Sequence, residues 1–300
     1  MYPPRFRYEA PRSIEEAIAA LQAGGGEAKV LAGGQSLVPL LKLRFASPDV
    51  LVDINGLPGL NYHKVDPDGT LRIGALCRHV DLERSTILAS RVPTMAAAAP
   101  LVADPIVRNR GTLVGSLCHA DPQGDWAAVV TALGGSIVAQ GPNGRRTIPV
   151  AQFVTGPFQN TLADDEIAIE AVIPAAKGTV AGGYLKLERR VGDFATAAAA
   201  VALEFSGGVV SRAGIALTGV GGATIDATEA AAALVGKPLT IETISGASEL
   251  AAAAARPKTD HRGTAAYKKH IVRTFVERIL TRVSAGGQGV GGTGIAERAA

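Results

Sequence analysis

The chain has few aromatic residues and only two cysteines, and neither sign of charge dominates. Of its 300 residues 4% are aromatic, and the formal net charge is +3. So small a charge gives no electrostatic reason to expect binding to nucleic acid or to an anionic membrane. Cys77 and Cys118 are too few for a disulfide framework or for an iron–sulfur cluster held by this chain alone. Any iron–sulfur chemistry would therefore come from another chain.

Long hydrophobic runs and targeting signals are also missing. No stretch of about eighteen apolar residues marks a membrane span, and no basic-then-apolar signal opens the sequence. We therefore expect a cytoplasmic protein without a membrane span. Its length allows two or three domains with a sizeable core.

Two glycine-rich loops carry the functional signal. The first reads Ala32-Gly33-Gly34-Gln35-Ser36, and the second reads Gly111-Thr112-Leu113-Val114-Gly115-Ser116. Glycines let the backbone approach a ligand closely, and free N–H groups at a helix start suit an anion such as a diphosphate. The spacing of a Rossmann fingerprint and the lysine of a Walker loop are both missing. Taken singly, each loop could also be a tight turn between a strand and a helix.

The arrangement of elements predicts two α/β segments followed by a domain of another kind. A capped helix after Ser13 and short strands at 29–31 and 49–54 form the first segment, and a hairpin around 141–144 belongs to the second. Three strands at 184–190, 195–205 and 209–218 precede alanine-rich helices at 227–234, 241–255 and 265–281. This order favours an α+β domain whose sheet is covered on one face. Glycine dominates residues 284–300, which we expect to be a disordered tail.

Two further residues near the second loop are candidate functional residues. Asp125 is spaced to hold a ribityl or ribose hydroxyl, although it could simply cap the helix that starts at Trp126. His119 could serve as a base, but nothing in the sequence supplies a partner to orient it. We therefore predict no catalytic residue and no metal site in this chain.

In combination, these motifs resemble the flavin subunits of the molybdenum hydroxylase (xanthine dehydrogenase) family, most of all its carbon monoxide dehydrogenase group. The resemblance rests on residues 32–37, 108–116 and 119–122, and it is supported by 42–44, 184–190, 192–195 and 267–269. It implies an α+β fold with an FAD-binding domain of the vanillyl-alcohol-oxidase (PCMH) type over residues 1–176, in subdomains 1–56 and 57–176. A C-terminal α+β domain of sheet plus helices would follow over residues 177–283.

The resemblance also implies a set of FAD-binding residues. The two loops would wrap the FAD diphosphate from opposite sides, and Asp125 would hold an FAD hydroxyl. Val102 would contact the adenine side, while Ile167, Lys186 and Phe194 would lie near the isoalloxazine ring. Two positions depart from the family pattern: Val114 stands where a second glycine is common, and Phe194 replaces an expected tyrosine.

By the same resemblance, the chain would transfer electrons through FAD within a multi-subunit enzyme. A large molybdopterin-binding subunit and a small subunit with [2Fe–2S] clusters would be its partners, as a dimer of heterotrimers whose surface allows peripheral membrane association. One alternative is a self-contained FAD-dependent oxidase or reductase of the same fold. Another is a non-catalytic assembly subunit whose basic residues dock an acidic partner, namely Arg256, Lys258, Arg262, Lys268, Lys269 and Arg273.

Overall fold

The computed structural model describes residues 2–293, and its first unit is a small parallel sheet with two helices. The sheet order is β1-β3-β2. Helix α1 begins after Ser13, whose hydroxyl accepts the Glu16 N–H at 3.1 Å, and Gly25 caps its C-terminus in the left-handed region. The elements of this unit are β1 (Arg7–Glu9), α1 (Ile14–Gly24), β2 (Ala28–Leu31), α2 (Leu37–Leu43) and β3 (Val50–Asp53).

The second unit is an antiparallel sheet, in the order β4-β5-β10-β6-β7, packed against short helices. The predicted hairpin is confirmed as β6 and β7. The elements are β4 (His63–Val65), β5 (Leu71–Gly74), α3 (His79–Glu83), α4 (Thr86–Arg91), α5 (Pro93–Ala98) with a 3₁₀ turn (Ala99–Leu101), α6 (Pro105–Arg108), α7 (Leu113–His119), α8 (Asp125–Ala132), β6 (Ser136–Gly141), β7 (Gly144–Pro149), α9 (Val150–Phe153), β8 (Val154–Gly156), β9 (Gln159–Asn160) and β10 (Ile167–Ile173).

The third unit is a sheet in the order β14-β13-β12-β11-β15, with three helices. Its three long strands and its alanine-rich helices follow the predicted order. The elements are β11 (Thr179–Leu187), β12 (Ala197–Ser206), β13 (Val209–Thr218), β14 (Ile225–Asp226), α10 (Thr228–Ala232), α11 (Ile241–Ala254), α12 (Ala265–Ser284) and β15 (Gly289–Thr293).

This last sheet is covered on both faces, so the expectation of a single covered face was wrong. Along β12, Ala197, Ala199 and Val201 belong to the core beneath the C-terminal helices, and the alternate residues belong to the core of the first two units. The close packing explains the small side chains, because a Cβ at Gly214 would overlap the backbone of Ala132 in α8.

The glycine-rich tail is a strand over part of its length, which corrects the prediction of disorder over 284–300. Ser284 ends α12, and Gly289–Thr293 pairs in parallel with the edge strand β11. An unpaired edge leaves a row of backbone donors and acceptors, and glycines let a second strand approach it closely. Residues 294–300 lie outside the described residues. Within the described part of the chain, no helix is both long and apolar enough to cross a membrane.

Candidate functional site

The two glycine loops, distant in sequence, lie against each other. A Cβ on Gly33 would overlap the carbonyl oxygen of Arg110 and would lie 2.8 Å from the Cα of Gly111. Gly34 has a φ of +73°, in the left-handed region that favours glycine. Glycine is therefore required in the first loop for contact with the second, and the two loops form one surface, here called the loop junction (residues 32–36 and 110–116).

The first loop offers a row of backbone donors. Within residues 2–293 the N–H groups of residues 33–37 have no hydrogen-bond partner, whereas the N–H of Val38 already bonds to Gly34. Ser36 precedes α2, but its hydroxyl does not cap that helix. The loop therefore presents unpaired N–H groups and a hydroxyl, which are the donors that a diphosphate accepts from.

One hydroxyl of the second loop caps the start of a helix. The Thr112 hydroxyl accepts the Gly115 N–H at 3.1 Å, which makes Thr112 the N-cap of α7. Val114 is only 2% exposed and belongs to the core. Its side chain therefore packs inward, so this departure from the family pattern adds no bulk to the exposed side of the junction.

Sequence reasoning missed a pair of polar residues that ties the two loops together. Arg78 donates through Nη1 to the Arg110 carbonyl oxygen and through Nη2 to Asn55 Oδ1, both at 2.6 Å. Asn55 in turn donates through Nδ2 to the carbonyl oxygen of Ala32 at 2.8 Å. The chain separates these residues widely, so no local sequence pattern could have linked them.

A buried histidine packs against the second loop. A Cβ on Gly111 would lie 2.7 Å from the His79 ring, and Trp126 Nε1 donates to His79 Nδ1 at 3.0 Å. Burial, together with the nearby Arg108 and Arg78 guanidinium groups, lowers the pKa of His79 to about 4. The imidazole is therefore neutral at pH 7. It packs against Gly111 and accepts a hydrogen bond from Trp126.

Asp125 and Lys186 lie together in a sealed cluster. Lys186 Nζ is 3.1 Å from Asp125 Oδ2, 3.4 Å from Glu188 Oε2 and 2.9 Å from the Leu101 carbonyl oxygen, and its side chain is fully buried. Tyr184 donates to the other Asp125 oxygen at 2.5 Å. Burial raises the pKa of Asp125, against the opposing effect of Lys186. Gly124, not Asp125, is the N-cap of α8, so the capping alternative was wrong.

The remaining predicted contacts lie on three separate segments of the chain. Val102 is buried next to Leu101, Ile167 is buried at the start of β10, and Phe194 is 47% exposed. The Phe194 loop packs on residues 103–104 through Gly192. Among the described residues, the five predicted contacts outside the loops (Val102, Asp125, Ile167, Lys186 and Phe194) make no side-chain hydrogen bond to the loop junction. Their flavin contacts stay predictions.

The basic residues of the assembly alternative are largely engaged within the chain. Arg262 pairs with Asp193, Lys268 with Asp260, and Arg273 with Glu249. Lys268 is also buried. This weakens the interpretation of these residues as a docking patch. In the described part of the chain, no cluster of His, Cys, Asp and Glu has the geometry of a metal site.

Comparison with known families decides the family. Residues 4–176 match the FAD binding domain in molybdopterin dehydrogenase, and residues 183–283 match the CO dehydrogenase flavoprotein C-terminal domain. The chain belongs to the FAD-binding subunits of the molybdenum hydroxylase family. The predictions of an FAD-binding oxidoreductase subunit and of its fold class are thereby confirmed.

Individual relatives of this flavoprotein subunit match over nearly its whole length. It is 42% identical to the carbon monoxide dehydrogenase medium chain of Hydrogenophaga pseudoflava, over 93% of this chain and 97% of that one. It is 38% identical to the alpha subunit of the 6-hydroxypseudooxynicotine dehydrogenase complex of Paenarthrobacter nicotinovorans, over 94% and 95%. The fold superimposes with a TM-score of 0.91 and 44% identity on a solved carbon monoxide dehydrogenase from H. pseudoflava lacking the Mo-pyranopterin moiety, covering 95% and 99% of the two chains.

Proposed function

We propose that this flavoprotein subunit carries FAD and transfers electrons within a multi-subunit molybdenum hydroxylase. One observation carries the proposal: Gly33 packs on Arg110 and Gly111, so that two distant loops share one surface of unpaired backbone donors. Membership in the family supports it. In the described residues no group of His, Cys, Asp and Glu at that surface has the geometry of a metal site.

The residues present fit FAD. The loop junction combines close backbone approach, N–H donors and the hydroxyl of Ser36, which would hold the diphosphate without a lysine. Val102 would lie on the adenine side, Asp125 at a hydroxyl, and Ile167, Lys186 and Phe194 on the ring side. When bound, FAD would supply the redox chemistry, accepting electrons from [2Fe–2S] clusters of a partner and passing them to an acceptor. This chain's own residues bind the cofactor and orient it.

The assembly we propose has a large molybdopterin subunit and a small [2Fe–2S] subunit, arranged as a dimer of heterotrimers in the cytoplasm. Its surface would allow peripheral membrane association of the complex. Relatives named for carbon monoxide and for a nicotine derivative share this subunit's length and fold. We therefore infer that the partner subunit, and not this chain, selects the substrate.

The test begins with the purified full chain. We expect it to hold about one FAD per chain, released on denaturation and measured by flavin absorbance, as one diphosphate cradle requires. A colourless chain that gains no flavin on soaking would contradict the proposal. Turnover of an organic substrate by the chain alone would instead favour the self-contained oxidase or reductase.

A second experiment tests the partners. Affinity purification of the tagged chain from its own cells should recover two further chains together with molybdenum and iron, measured by elemental analysis. Recovery of a stable complex without flavin would favour the assembly subunit.

A further inference from the structure

We propose that Arg78 and Asn55 form a latch that positions the two glycine loops for FAD. The proposal rests on the proposed FAD-carrying function and adds two positioning residues to it. Neither residue belongs to a glycine loop. Asn55 follows β3, and Arg78 precedes α3 as its N-cap residue.

The latch joins one carbonyl oxygen from each loop. Arg78 uses two arms of its guanidinium fork, one on the Arg110 carbonyl of the second loop and one on Asn55 Oδ1. Asn55 completes the link through its donation to the Ala32 carbonyl of the first loop. The planar fork fixes both directions at once, which a flexible ammonium group could not do.

Holding the Ala32 carbonyl also directs a ligand-binding donor. The described chain has no cis peptide bond, so the carbonyl of Ala32 and the N–H of Gly33 point in opposite directions across one planar unit. The latch engages the carbonyl, and the Gly33 N–H has no partner in the described residues. The latch therefore turns that donor away from Asn55, where nothing in the described chain accepts from it.

The Asn55 amide is itself held in one orientation. Asp53 Oδ1 accepts from the Asn55 backbone N–H at 2.9 Å and from Nδ2 at 2.6 Å, while Tyr8 donates to Asp53 Oδ2 at 2.6 Å. These bonds keep Nδ2 towards Ala32 and Oδ1 towards Arg78. The latch is therefore pre-organised before any ligand arrives.

The chain offers a matched control for the latch. Arg72 also bridges two acceptors with one guanidinium, contacting Asp66 at 2.5 Å and Glu170 at 2.6 Å. It lies on β5 in the second unit and touches neither glycine loop. Arg78→Gln and Arg72→Gln both remove a guanidinium that bridges two acceptors, but only the first removes a link between the loops.

The experiment compares these variants as flavin-stripped full chains. Titration of FAD, followed by flavin fluorescence, should show about ten- to hundredfold weaker binding for Arg78→Gln, since two charge-assisted hydrogen bonds are lost. Arg72→Gln should lower the midpoint of urea unfolding yet bind FAD within about twofold of the wild type. Arg78→Lys should recover part of the affinity, because it restores one of the two bonds.

A second measurement needs no flavin. Amide hydrogen exchange at Val38, whose N–H bonds to the Gly34 carbonyl of the first loop at 2.9 Å, should be faster in the flavin-free Arg78→Gln chain and in Asn55→Asp, which loses the donor to Ala32, and unchanged in Arg72→Gln. Equal losses of FAD affinity in Arg78→Gln and Arg72→Gln, or unchanged exchange at the loop, would overturn the latch. A wild-type chain that binds no FAD would instead overturn the proposed function, and the exchange measurement would still decide whether the latch orders the loops.

Discussion

The loop junction and the sealed cluster are both polar, yet they treat their hydrogen-bonding groups in opposite ways. At the junction, backbone donors of residues 33–37 stay unpaired on a partly exposed surface. In the sealed cluster, Lys186 is fully buried and meets Asp125, Glu188 and the Leu101 carbonyl. Unpaired donors that water can reach remain available to a ligand, while a buried network must be satisfied by the protein itself. The donors of the junction are thus free to hold a ligand, whereas the side chains of Asp125 and Lys186 already have partners within the chain.

The sealed cluster also joins different parts of the chain. Asp125 begins α8 in the second unit, whereas Tyr184 and Lys186 belong to β11 of the third. Leu101 lies just before Val102, which the family resemblance assigns to the adenine side of FAD. The cluster thus fixes the segment leading to Val102 against the C-terminal sheet.

Breaking the sealed cluster should produce the largest effect. Lys186→Met leaves the carboxylates of Asp125 and Glu188 buried without their cation, and the free energy of unfolding should fall by about 3–5 kcal/mol. Urea denaturation of the flavin-free chain measures this. Lys64→Met is the matched control, since the Lys64 side chain is 61% exposed and pairs with Asp66 at 3.6 Å. Its loss should be within about 1 kcal/mol. Equal losses in the two variants would contradict the distinction.

Lowering the pH should reduce the stability of the fold through protonation of His79, which packs against the second loop. The folded pKa is about 4, below the ordinary value of 6.5, because burial disfavours the imidazolium. The unfolded chain therefore binds this proton first as the pH falls. Stability from this group is fully present above pH 6.5 and falls by roughly 3 kcal/mol as the pH drops towards 4.

The measurement for His79 is a series of urea denaturations between pH 7 and pH 4. His79→Gln keeps an acceptor for Trp126 and removes the titration, so its stability should depend less steeply on pH over that range. Identical profiles for the wild type and the variant would show that His79 does not contribute.

Local patterns in the sequence predicted the elements and the loops, but not what links them. Ser13 marked a helix start, and Gly33 and Gly111 marked the loops, because capping and close approach depend on residues near in sequence. The Arg78–Asn55 latch and the Lys186 cluster join distant residues, and a lysine gives no local sign that it will be buried. Strand β15 was missed because a run of glycines is typical of disorder until an open sheet edge is present to pair with it.

Adding a methyl group at the loop junction should lower the free energy of unfolding less than the changes above, but it should weaken FAD binding strongly. Gly33→Ala places a Cβ against the Arg110 carbonyl, so the loops must separate, at a cost of about 1–3 kcal/mol in unfolding free energy. Gly56→Ala is the control, because a Cβ there meets nothing within 4 Å and φ is not in the left-handed region. FAD titration should show weaker binding only for Gly33→Ala, and equal binding by both variants would count against the junction.

The smallest effect separates the two helix caps. Thr112 and Ser13 each accept the backbone N–H of the third helical residue at 3.1 Å, in α7 and α1 respectively. Thr112→Val and Ser13→Ala should each lower the free energy of unfolding by about 1 kcal/mol. Only Thr112 lies in the loop junction, so only Thr112→Val should also raise the Kd for FAD beyond what the shared loss of a cap explains. If Ser13→Ala raises the Kd for FAD equally, the weaker binding follows from the lower stability of the FAD-binding units. Thr112 would then act only as the N-cap of α7.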